Sequence, residues 1–152
     1  VSYRFHHMMT VCAEQAFAAL PGQTRRAYHG RYGAWYAAHG QYLHALAAYR
    51  KGEDYDAVLQ VIQDDAGILL AALSPEEVLA FLDVCPRGTL QAHPLTLLVL
   101  MRRMFTWQQI PKMLALRALR LAGYYRAQRR TALSGLSCLQ SNVVALHEQH
   151  RG

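Results

Sequence analysis

Apolar positions along this chain recur every three to four residues within short stretches, and proline, glycine or polar clusters separate the stretches, which is the helical period. No sustained two-residue alternation and no Asn-Gly or Asp-Gly turn occurs, so strands are not expected. Residues 5–20 read as a first helix, stopped by Pro21 and Gly22. Thr24 is the expected cap of a second helix over residues 24–39. Its rings Tyr28, Tyr32, Trp35, Tyr36 and His39 fall on one helical face, and Gly40 supplies the left-handed residue that ends it. Residues 41–51 form a third helix with Tyr42, Ala45, Leu46 and Tyr49 as its stripe, ended by Gly52. Tyr55, Val58, Leu59 and Ile62 mark a fourth, weakened at residues 64–67 and followed by a short apolar piece at 68–73.

Ser74-Pro75-Glu76-Glu77 is a strong helix start: the Ser74 hydroxyl accepts from the Glu77 amide, Glu77 reaches back to the Ser74 amide, and Pro75 suits the first helical position. That helix is expected to end near Val84, before the turn-like Cys85-Pro86-Arg87-Gly88. His93-Pro94 opens the next, with Leu95, Leu98, Val99 and Met101 or Arg102 along it, and residues 106–109 break the pattern. Pro111 sits near the start of a helix over residues 111–122. Gly123 is expected to separate it from a last helical region at 125–149, which Gly135 kinks or splits. The reading is all-α, with about eight helices joined by short turns that force antiparallel neighbours: helical hairpins stacked as an α-solenoid.

With 152 residues the chain has a single domain's length, and 53% apolar against 17% charged residues excludes disorder. No apolar run reaches the roughly 18 residues of a membrane span, so no membrane partner is expected. Cys12, Cys85 and Cys138 are too widely spaced for a disulfide framework; they read as inert apolar thiols in a reducing, cytoplasmic protein. The first residue, Val1, stands inside a motif with no initiator Met, as in a segment of a longer protein.

Charge is polarised. Residues 53–83 hold eight acidic residues and no basic one, whereas residues 84–147 hold nine basic residues and no acidic one. Arg102, Arg103, Arg117, Arg120 and Arg126 are candidates for an anionic ligand or acidic partner, with direct nucleic-acid binding by this basic half as the alternative function. A solvated surface explains the same run. Tyr28, Tyr32 and Tyr36 either line a ligand groove or pack between helices. No nucleophile stands at a known motif spacing from a base, so no catalytic residue is expected. His147 with His150, and His39 with His44, lack the further ligands that a metal site requires, so no metal is expected.

Gly33, Tyr36, Gly40, Tyr42, Ala45 and Tyr49 fall at the spacings of a tetratricopeptide-type repeat. Gly33 and Ala45 are small where two helices would cross, and Tyr36 and Tyr49 would fill the space between helices. Three further stretches stand in order: Tyr3-Arg4-Phe5-His6-His7-Met8-Met9; then Trp35-Tyr36, Gly40 and Gly52-Glu53-Asp54-Tyr55; then Phe81-Leu82, Pro86 and His93-Pro94-Leu95. On these, over residues 3–125, the chain resembles the middle of the ATP-dependent LuxR-type transcription regulators of the STAND class.

The resemblance implies that residues 1–20 end a winged-helix module and that residues 21–125 form a tetratricopeptide-like region. Residues 126–152 would then be a C-terminal helical extension. It implies partners among the other domains of one longer protein and an effector or regulatory protein, with DNA contacted only through a helix-turn-helix beyond this segment. His6 aligns with a winged-helix histidine that approaches ADP phosphate in the family. No G-x-x-x-x-G-K-[ST] occurs here, so no cofactor is expected in this segment, and ATP or ADP belongs to the longer protein.

Overall fold

The computed structural model describes the backbone of residues 2–149 and the side chains of residues 7–134. It is all-α: among the described residues there are eight α-helices, one 3-10 helix and no strand. They are α1 (Ser2–Ala18), α2 (Gly22–Ala38), α3 (Tyr42–Lys51), α4 (Tyr55–Asp64), the 3-10 helix Ile68–Ala72, α5 (Pro75–Val84), α6 (Arg87–Ala92), α7 (Pro94–Thr106) and α8 (Ile110–Gln149). The chain forms two compact units, Val1–Val99 and Leu100–Gly152.

Local chemistry sets most boundaries. Ser74 and Glu77 form the reciprocal capping box, with Glu77 N–H donating to Ser74 Oγ at 3.2 Å and Ser74 N–H to Glu77 Oε2 at 2.9 Å. Asp54 caps α4 by accepting from the Ala57 amide at 3.1 Å. Gly40 (φ 70°) takes the left-handed conformation between α2 and α3, as the sequence requires. Gly52 ends α3 in the right-handed region instead, and the left-handed residue is Glu53 (φ 56°).

Three expectations are corrected. Thr24 does not cap α2, which starts at Gly22 behind Pro21; proline's fixed φ already suits the chain entering a helix. Residues 87–92 form α6, a single short turn-and-a-half that the Pro86-Arg87-Gly88 run conceals. Gly123 breaks nothing: α8 runs through it and through Gly135. A mid-helix glycine costs about 1 kcal/mol relative to alanine, too little to split a long helix that is rich in Leu, Ala and Arg.

In the first unit, α2 packs on α3 and α3 on α4. The α2–α3 pair is antiparallel, because its contacts run in opposite directions: Tyr36 stacks on His44, Gly33 meets Tyr49, Gly52 meets His29, and Arg26 pairs with Glu53. Gly33 and Gly52 are both buried at this crossing. Further along, α4 buries Val58, Leu59, Val61 and Ile62 while Gln60 and Asp64 stay outside. Ala45, Leu46, Leu69, Leu70, Val78, Phe81, Leu82, Cys85, Leu90 and Leu97 are buried as well. The buried Thr96 hydroxyl donates to the Leu59 carbonyl at 3.0 Å, and His93 Nε2 meets Asp56 Oδ1 at 2.7 Å. In the second unit Leu100, Met104 and Leu116 are buried.

A candidate ligand face on α2

The aromatic residues of α2 divide into two arcs at 100° per residue. Arg26, His29 and Gly33 face α3. Arg31, Trp35, Tyr28 and Tyr32 face outward, and Tyr36 stands at the border, stacked on His44 with ring centroids 5.3 Å apart. The period that builds the helix thus also builds an open aromatic surface. Tyr28, Arg31, Tyr32, Trp35 and Tyr36 line an open cavity of about 520 Å³. Tyr32 is 57% and Trp35 54% exposed, so roughly half of each ring is available to a ligand.

Neighbours hold the rings in place. Phe17 of α1 lies edge-on to Tyr28 at 6.0 Å and to His29 at 5.4 Å. The Arg31 guanidinium sits 4.6 Å from the Tyr28 ring centroid, a cation–π contact that places a positive charge on the rim. His39 Nδ1 donates to the Trp35 carbonyl at 2.7 Å, and its ring lies 4.2 Å from the indole. No acidic residue occurs between Glu14 and Glu53, and Arg31 is the charged residue among those lining the cavity. Flat rings with phenol and indole polar tips, beside an arginine, suit a ligand with a flat apolar surface and an acceptor or anionic group.

The structure brings Tyr28, Tyr32 and Tyr36 to one cavity. Arg31 and Trp35 are the further lining residues. Their signal was in the sequence, since they stand at i+3 and i+7 from Tyr28, but the period alone does not say which ring faces water.

The five candidate arginines are not gathered into one patch. Arg102 and Arg103 lie on α7, with the Arg103 guanidinium 4.7 Å from the Trp107 ring centroid. Arg117, Arg120 and Arg126 lie on α8. Nine residues separate Arg117 from Arg126, which is two and a half turns, so they emerge on opposite sides of the helix. Arg117 and Arg126 are exposed and Arg120 is half-buried.

The thiols differ from one another. Cys85 is buried, and burial pushes its thiol up to about 11. Cys12 is exposed on α1, contrary to the expectation of an apolar interior; most of α1's described surface faces water, Met8 and Met9 included. The side chains of His6, Cys138, His147 and His150 lie outside the described residues. Among the described residues no three His, Cys, Asp or Glu side chains come together as a metal site would need, and no helix is long and apolar enough to cross a membrane.

No family model matches the chain, and no match was found among the curated proteins or the solved structures.

Proposed function

We propose that this chain is the helical-repeat segment of an ATP-dependent LuxR-type transcription regulator, and that it senses an effector or regulatory partner on the outward arc of α2. The α2–α3 hairpin supports the repeat reading, because Gly33, Gly40 and Tyr49 do what the tetratricopeptide-type spacing asks of them. The observation that carries the sensing role is the separation of arcs. One side of α2 is used up in packing, while Tyr28, Tyr32 and Trp35 stay exposed around a 520 Å³ cavity. A contiguous exposed aromatic surface is one of the features by which binding sites are recognised.

The mechanism is differential affinity. An effector that stacks on these rings in one arrangement of the whole regulator and not in another shifts the balance between them by the ratio of its two affinities. The other domains of the regulator, ATP or ADP in its ATPase and DNA at its helix-turn-helix, belong to the longer protein in this reading, which would work in the cytoplasm.

The test uses indole emission. Trp107→Phe leaves Trp35 as the sole indole, since the chain has two tryptophans. Titration with a panel of small anionic and ring-bearing metabolites is expected to give a saturable change in Trp35 emission that Tyr32→Ala weakens about tenfold or more, the loss of roughly one good stacking contact. Ligands that bind with Trp35 emission unchanged and with Tyr32→Ala neutral would contradict the proposal.

A further inference from the structure

The side of α8 opposite its buried arc carries a second surface, independent of α2. At 100° per residue Ile110, Leu114, Leu121 and Tyr125 fall within one 60° sector, and all four are exposed, Leu121 by 42% and Tyr125 by 64%. Leu116, the buried residue among the described side chains of α8, points about 140° away from Leu121. Leu114 and Leu121 are a heptad apart, and Tyr125 follows four residues on, so the stripe has the 3.5-residue spacing that a second helix can follow. From residue 110 to residue 125 it extends about 22 Å along the axis.

Arginines border the stripe. Arg117 lies beside one edge and Arg129 beside the other, both exposed, whereas Arg120 turns toward the Leu116 arc and is half-buried. No acidic residue occurs anywhere between residues 84 and 147, so no carboxylate on α8 within that range balances them. A leucine stripe with basic borders has one complement in helix chemistry: an amphipathic helix with an apolar stripe edged by Glu or Asp. A second α8 is a poor occupant, because self-pairing sets arginine against arginine without a carboxylate. Phosphate backbones match the arginines and leave the leucines unused.

We propose that α8 docks an acidic amphipathic helix of a partner protein along Leu114, Leu121 and Tyr125, with Arg117 and Arg129 pairing its carboxylates. The test uses the whole 152-residue chain and a synthetic three-heptad peptide with Leu at positions a and d and Glu at e and g. Repulsion among its glutamates keeps that peptide unpaired and largely unfolded at neutral pH. Mixing is expected to raise helical ellipticity above the sum of the separate spectra, saturably, with affinity falling roughly tenfold from 50 to 500 mM salt as the charges are screened.

Leu121→Glu, an exposed position whose fold is checked by the chain's own spectrum, should abolish the gain. The double change Arg117→Glu with Arg129→Glu should transfer the preference to a peptide with Lys at e and g. Three results overturn the proposal. One is no helical gain, or an equal gain with the lysine peptide. Another is a chain dimer that Leu121→Glu dissociates, which makes a second copy the occupant. The third is displacement of the peptide by a 20-base-pair duplex, which makes nucleic acid the occupant.

Discussion

Gly33 lies against the ring of Tyr49: a Cβ placed on Gly33 would stand 2.6 Å from Tyr49 Cε1 and 2.7 Å from Cδ1. No real side chain tolerates that distance, so the close crossing of α2 and α3 depends on the missing methyl. Gly52 repeats the device further along the same crossing, where a Cβ would meet His29 Cβ at 3.1 Å. Burial and the nearby Asp54 carboxylate push the Tyr49 phenol above its ordinary range.

Gly33→Ala is therefore expected to destabilise the fold by about 1–3 kcal/mol, the usual cost of overpacking. Tyr49→Ala alone opens a gap. The double variant should lose less than the sum of the two, because alanine at 33 then occupies space the ring vacated. Denaturant melts of the four proteins give this coupling directly; additive losses would mean the two residues do not share the contact.

The capping box gives a second outcome. Ser74→Ala should cost about 1 kcal/mol, the ordinary value for losing a helix cap. Hydrogen bonds from the Ser74 amide and hydroxyl hold the Glu77 carboxyl below the usual glutamate range. A lowered carboxyl stabilises the fold at pH values above the unfolded pKa, and that stabilisation is lost as pH falls through the folded one. Glu77→Gln should flatten the acid limb of the stability–pH curve relative to the parent chain, measured by melts between pH 3 and pH 6.

Cys85 gives the opposite limb. Its thiol is pushed up to about 11, against an ordinary value of 9.0. The unfolded chain loses this proton first, so stability is complete below about pH 9 and declines as pH rises toward 11. Cys85→Ala should remove that part of the alkaline decline. At pH 7.5 brief alkylation followed by peptide mapping should label exposed Cys12 and leave Cys85 unmodified. Equal labelling in the native state would place Cys85 outside the core.

Much of the fold was legible where the signal is local. The Ser74–Glu77 box, the Gly40 turn and the stripe of α4 each need only a few neighbouring residues, and each stands where the sequence places it. The failures have physical reasons. The six residues of α6 are too few to show a period, and Pro86 with Gly88 reads as a turn. At Gly123 a local breaker signal was outweighed by the helix formers on either side within α8. The candidate site was half legible. The period put Tyr28, Tyr32, Trp35 and Tyr36 on one face, but only the packing of α3 decides that Tyr36 turns toward His44 while Tyr32 and Trp35 stay open.

The role proposed for the chain is tested most directly by sequencing the coding DNA on both sides of the segment that encodes residues 1–152. An ATP-dependent LuxR-type regulator predicts a G-x-x-x-x-G-K-[ST] phosphate loop in frame upstream and a helix-turn-helix in frame downstream. An open reading frame that contains neither would contradict the assignment.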